Sequence, residues 1–170
     1  MILQFRMLSD ENDNFVRDFE VPFDMNLFDF HRFILASLEY DDCLASFFTA
    51  DGKWQPVREY TAVDMGGGDD PSTPMPMEKV LVAQTVMDDS NRLIYQFDLF
   101  SGRAYYLELT GAKEASPDFE YPRVAFEHAP APDQYDPEAV GADERSIFDE
   151  MMGDYNEFDG DDDYDDEYRY

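Results

Sequence analysis

The sequence is short of cysteine, of positive charge and of long apolar runs, and each shortage removes a class of function. A single cysteine, Cys43, in 170 residues permits no intrachain disulfide and cannot by itself build a thiolate zinc cage. Only 12 basic residues face 40 acidic ones, giving a formal net charge of −28. A surface of that sign repels phosphate backbones and anionic lipid heads, so direct binding to nucleic acid or to a membrane is not expected. No run of about 18 apolar residues is available to cross a bilayer. The opening Met1-Ile2-Leu3-Gln4-Phe5-Arg6 lacks the apolar stretch of a signal peptide. A soluble, cytoplasmic protein is the resulting expectation. Apolar matter is nevertheless plentiful: 44% of the residues are hydrophobic and 16% aromatic, with 15 Phe and 11 Tyr, enough to build a packed core.

Charge is unevenly spread. Residues 1 to 130 hold 24 acids and 10 bases, whereas residues 131 to 170 hold 16 acids and 2 bases, so each part nets −14. Half the charge therefore rides on the last forty residues, and this shift is the clearest boundary in the chain. Prolines at 130, 132 and 137 favour extended backbone at the junction. The organisation predicted is a domain over 1–128, a Pro-rich linker over 129–142, a short amphipathic helix over 143–153 and an acidic aromatic tail over 154–170. A second break, Met65 to Pro76, contains three glycines and three prolines and reads as a long mobile loop.

Within the body, Ile2 to Leu8 and Phe15 to Val21 are β-rich and separated by a polar turn cluster, which predicts a hairpin. After Pro22 the spacing changes: Leu27, Phe30, Ile34 and Leu38 recur at threes and fours, the mark of a helix over about Asn26 to Tyr40 with Asn26 as its cap. Leu44 to Ala50 and Lys53 to Tyr60 flank Asp51-Gly52, a tight-turn signal for a second hairpin, with Pro56 placing the outgoing strand at an edge. Val80 to Met87 reads as a short helix, although its β-branched residues leave a strand open. Leu93 to Leu99 and Arg103 to Thr110 form a third hairpin about Phe100-Ser101-Gly102, and Arg123 to Glu127 adds a strand. The fold class is α+β: antiparallel β-hairpins packed on one main helix, with a disordered acidic C-terminal tail.

These segments carry a family resemblance. Phe19-Glu20-Val21-Pro22, Met25-Asn26-Leu27, Phe30-His31 and Ile34 resemble the opening of the plasmid pRiA4b ORF-3-like family, in which a strand ending in Val-Pro leads into a helix carrying a Leu-His pair. Leu93-Ile94-Tyr95-Gln96-Phe97-Asp98 resembles the family's aromatic strand, and Tyr105-Tyr106-Leu107-Glu108-Leu109 the strand that follows. The similarity runs over roughly residues 2 to 127. It implies an α+β fold and an association with plasmids and mobile elements, and it brings no established reaction. The apolar scaffold matches more closely than the polar positions. Phe100-Ser101 replaces a Gly-Asp, Arg103 and Tyr105 stand near the family's Trp and His, Tyr40 stands where Trp is usual, and Cys43 lies near a usual His.

Catalytic signals are sparse. His31 and His128 are the only imidazoles and Cys43 the only thiol, so a metal cage or Cys-His pair would need long-range convergence. His31, four after Leu27 and three before Ile34, lies on the apolar side of its helix and is expected as a hydrogen-bonded residue at the core margin. Neither Gly-x-Ser-x-Gly nor a Walker loop is present, and Gly66-Gly67-Gly68 leads into Asp69-Asp70, whose charge would repel phosphates. Phe47, Phe48, Tyr95, Phe97, Tyr105 and Tyr106 are assigned to alternating sheet faces, since no basic groove accompanies them. An EF-hand set on Asp154 fails because Phe158 takes the fifth position and Asp159 replaces the sixth-position glycine. No catalytic residue, cofactor or metal site is expected.

What distinguishes the tail from a plain solubilising run is that aromatics are interleaved with its acids; a solvated tail with no partner is the alternative to partner recognition. Ile147, Phe148, Met151 and Met152 make a short apolar stripe that either docks on the parent sheet or anchors another protein. Tyr155, Phe158, Tyr164 and Tyr168 follow among carboxylates, an arrangement in which rings fill pockets while charge steers toward a basic surface. The expected function is a non-catalytic interaction domain whose tail contacts a basic partner protein. The alternatives are a carboxylate-dependent metal hydrolase and an acidic competitor for a nucleic-acid-binding protein's basic groove.

Overall fold

Alternation with a period of two makes the sheet. Residues Ile2–Ser9 (β1) and Val16–Pro22 (β2) pair antiparallel, Phe5 opposite Phe19, so that Phe5, Met7, Phe19 and Val21 all bury on one face. The same alternation sorts the aromatics of Ser46–Ala50 (β3), Arg92–Asp98 (β6) and Arg103–Lys113 (β7). Phe47, Tyr95, Phe97 and Tyr105 enter the main core, while Phe48 and Tyr106 join a small cluster on the opposite face with Ile94 and Trp54. The expected division of these rings between two faces is what the structure has.

The coordinates are a computed structural model that describes residues 1–67, 70, 72–86 and 90–135. The remaining strands are Pro56–Thr61 (β4), Met75–Pro76 (β5) and Arg123–His128 (β8). The hairpins do not stand separately; they fuse into one eight-stranded sheet ordered β5-β4-β3-β6-β7-β1-β2-β8. Every pairing is antiparallel except β4 with β5, so the sheet is mixed. The fold is α+β, mostly sheet.

The helix α1, Leu27–Leu38, packs its apolar stripe on the main-core face, with Leu27, Phe30, Ile34, Leu35 and Leu38 buried. Asn26 caps it as expected, its side chain accepting from the Asp29 N–H at 2.8 Å. It ends on Glu39 in the left-handed region (φ 59), with Tyr40 N–H donating to Leu35 O at 2.9 Å. That turn swings Tyr40 under the sheet, 5.3 Å from Phe97 between ring centroids.

Three expectations are corrected. Asp51-Gly52 is not a two-residue turn: Asp51 Oδ1 accepts from Lys53 N and Gln55 N, and Trp54 takes φ 63. The longer loop brings Trp54 onto the outer face, edge-on to Tyr106 at 5.4 Å with the Arg92 guanidinium 4.8 Å from its ring. The helix read at Val80 to Met87 shrinks to Val82–Thr85 (α2), because Val80 is extended and its carbonyl accepts from Leu27 N at 2.8 Å, while Val82 N donates to Met25 O at 2.8 Å. Backbone bonds to the start of α1 thus win over helix extension, and residues 87–89 lie outside the described residues. Finally, the stretch read as a loop from Met65 to Pro76 ends in β5, which extends the sheet at Tyr60 and Thr61. Strand β4 is thus not the edge strand expected from Pro56; only around Pro56, at its other end, is there no strand beyond it among the described residues, where the missing donor is tolerated.

Residues 1–134 form one compact unit. The predicted helix over 143–153 and the tail over 154–170 lie outside the described residues. Among the described residues no helix is long and apolar enough to cross a membrane.

Candidate functional site

A cleft of about 680 Å³ opens beside α1. Phe28, Leu44, Ala62 and Val63 give it apolar walls, and His31, Arg32, Asp42, Cys43 and Glu78 give it polar groups. The helical period that buries Leu27 and Ile34 also turns His31 inward, so this side chain is only 4% exposed.

His31 Nδ1 lies 2.7 Å from the Tyr95 hydroxyl on β6. The Tyr95 phenol is fully buried and burial holds its pKa well above the ordinary value, so it keeps its proton. No other acceptor reaches it among the described residues, so Tyr95 donates and Nδ1 accepts. His31 is therefore the tautomer with hydrogen on Nε2. That nitrogen has no partner among the described residues and is not sealed from solvent, so it faces the cleft.

Burial pulls the His31 pKa below its ordinary 6.5, with Asp42 opposing and Arg32 assisting. As pH falls through 6.5 the unfolded chain takes up a proton that the folded chain refuses. This contribution to stability is thus complete above 6.5 and declines toward the lower folded value. The His31 ring resonances should stay at neutral-imidazole positions at pH 6.5; an imidazolium signal there would refute the assignment.

Cys43 does not supply a nucleophile. Its Sγ–H donates to Phe97 O at 3.4 Å, and burial, then Asp42 and Asp98, push its pKa up, so the thiol stays protonated. His31 is bonded to Tyr95 rather than to this sulfur. Among the described residues no three His, Cys, Asp or Glu side chains gather as a metal-holding group.

A buried polar cluster lies next to it. The Tyr40 hydroxyl donates to Pro132 O at 2.5 Å; a carbonyl cannot return a proton, so Tyr105 donates to Tyr40 across 2.5 Å. Burial raises the pKa of both phenols, and each remains neutral. Arg103, its side chain 3% exposed, forms a two-pronged pair with Glu11 at 2.9 and 2.8 Å. Two of its three remaining hydrogens go to Asp133 O at 2.7 Å and Gln134 O at 2.6 Å. The Gln134 amide exchanges two bonds with the Asp41 backbone, at 2.7 and 3.1 Å. On β2, Arg17 donates to His128 O at 3.1 Å and Ala129 O at 2.9 Å. The first residues of the segment read as a linker, 129–134, are thus held to the body by side chains of β2, β7 and the end of α1.

Of the residues singled out by sequence, His31 and Cys43 line the cleft, while Tyr40 and Tyr105 meet in the polar cluster. His31 is the hydrogen-bonded core-margin residue expected. Phe148, Met151, Met152, Tyr155, Phe158, Tyr164 and Tyr168 lie outside the described residues. Sequence reasoning missed Glu11 and the cleft's Arg32, Asp42 and Glu78; in a chain with 40 acids, single carboxylates carry no signal.

The family model for the plasmid pRiA4b ORF-3-like protein matches residues 2–165, continuing well past the last strand among the described residues. A crystal structure of a protein of unknown function, MM3350 from Methanosarcina mazei Go1, is 16% identical, with a TM-score of 0.69 over 97% of this chain and 94% of that one. At that identity it is the architecture that is shared. No curated protein matches the chain.

Proposed function

The chain belongs to the plasmid pRiA4b ORF-3-like family, and from that premise we propose that it is a non-catalytic, cytoplasmic interaction domain whose disordered acidic tail contacts a basic partner protein. The observation that carries this reading is the charge distribution: residues 131 to 170 hold 16 acids against 2 bases. Such a segment cannot collapse on itself, yet it keeps Phe148, Met151, Met152, Tyr155, Phe158, Tyr164 and Tyr168 as apolar anchors. Carboxylates steer the encounter and rings secure it. The one main helix serves as the backing of the sheet, and the pinned residues 129–134 give the tail a fixed point of departure.

The hydrolase alternative needs three or more acids around one ion, and the described residues offer no such group. The interaction reading is preferred on the charge and aromatic content of residues 131 to 170. Its test is a pull-down from native lysate with the full chain, compared with a variant in which the acids of 154–170 are changed to their amides. A basic protein retained at low ionic strength, released by salt and lost from the variant is the expected result. Equal recovery with both chains, or none with either, overturns the proposal. If the retained protein binds DNA, competition with DNA shows whether the tail occupies its basic groove.

A further inference from the structure

The cleft contains polar groups that have no hydrogen-bond or ion-pair partner among the described residues. The Nε2–H of His31, on a side chain 4% exposed, opens on the cleft and has no acceptor among the described residues. Arg32, Asp42 and Glu78 line the same cleft, and among the described residues none of them makes an ion pair or hydrogen bond. The apolar walls are open too, with Leu44 60% and Val63 49% exposed.

These groups select among ligands by charge. A simple cation would satisfy the two carboxylates but leave the imidazole donor unanswered beside Arg32. A simple anion would answer His31 and Arg32 but meet Asp42 and Glu78. A molecule carrying both charges satisfies all four groups, and an apolar body would cover Phe28, Leu44 and Val63. The volume of about 680 Å³ is that of an ordinary small-molecule site. We infer that this cleft binds a zwitterionic small molecule with an apolar body, of the α-amino acid class. Its carboxylate accepts from His31 Nε2–H and pairs with Arg32, and its ammonium faces Asp42 and Glu78. The site goes beyond the tail-mediated interaction and does not depend on it.

The test titrates the full-length, isotopically labelled chain with L-leucine and L-phenylalanine, alongside N-acetyl-leucine and leucinamide, each of which lacks one charge. Saturable shifts at positions 28, 31, 32, 42–44, 63 and 78 are expected with the free amino acids, and either blocked form should bind about fivefold more weakly, the scale of one exposed charge pair. Arg32→Ala should weaken leucine but not leucinamide, and Asp42→Asn should weaken leucine but not N-acetyl-leucine. Both positions are exposed, so the fold is retained. The variant with a neutralised tail should bind leucine as the wild type does, which separates this result from the fate of the tail proposal. Absence of saturable shifts up to the solubility limit, shifts confined to other residues, or equal affinity for free and blocked forms overturns the inference.

Discussion

Replacing Phe30 with alanine is expected to lower the free energy of unfolding by about 3–5 kcal/mol, the range for emptying a fully buried aromatic position. Phe30 has no solvent exposure and is where the helix meets three strands. Its ring stacks on Phe47 of β3 at 5.6 Å and 9°, lies 5.6 Å from Phe5 of β1, and stands edge-on to Phe19 of β2 at 6.2 Å. Truncation removes three ring contacts at once, and partners on three different strands cannot close in together to fill the space. Phe30→Leu, which keeps most of the volume, should lose far less. Urea denaturation followed by circular dichroism measures both. An alanine loss below about 1 kcal/mol, as at a surface site, would mean that α1 is not the element that closes this core.

The helix and three hairpins were legible because each is encoded locally. Leu27, Phe30, Ile34 and Leu38 carry the 3.6-residue period within twelve residues, and Phe5, Met7, Phe19 and Val21 carry the period of two. The order in which the hairpins join was not, since it depends on pairings such as Ile2 with Lys113 that no local pattern reports. The Asp51-Gly52 turn misled because the signal for a tight turn was outweighed by the packing of Trp54 on Tyr106, a contact between distant segments. His31 was readable as a buried, hydrogen-bonded group from its helix face alone. That Tyr95 is its partner, and which nitrogen remains free, became visible only once β6 lay under α1. The cleft's charged lining comes from α1, the segment after it and the turn before α2, three stretches whose acids look like every other acid in so anionic a chain.

Arg103→Met should cost about 3–5 kcal/mol of stability, comparable to the core substitution although it removes no aromatic ring. The methionine restores much of the side-chain volume but leaves the Glu11 carboxylate, 11% exposed, without its cation, and the Asp133 and Gln134 carbonyls without a donor. Arg6 and Asp18 provide the contrast. That pair has an equally short contact of 2.8 Å, but its side chains are 50% and 27% exposed, so water replaces the partner and Arg6→Met should cost less than about 1 kcal/mol. Loss of the arginine also frees residues 133 and 134. The Gln134 bonds to the Asp41 backbone should weaken with them, and hydrogen exchange at the Asp41 amide should accelerate beyond what the global destabilisation produces. Combining Glu11→Gln with Arg103→Met should recover part of the stability by removing the stranded charge, a coupling that a double-mutant cycle measures directly. Equal losses for Arg103→Met and Arg6→Met, with unchanged exchange at Asp41, would show that the buried pair neither supports the sheet nor holds the start of the C-terminal segment.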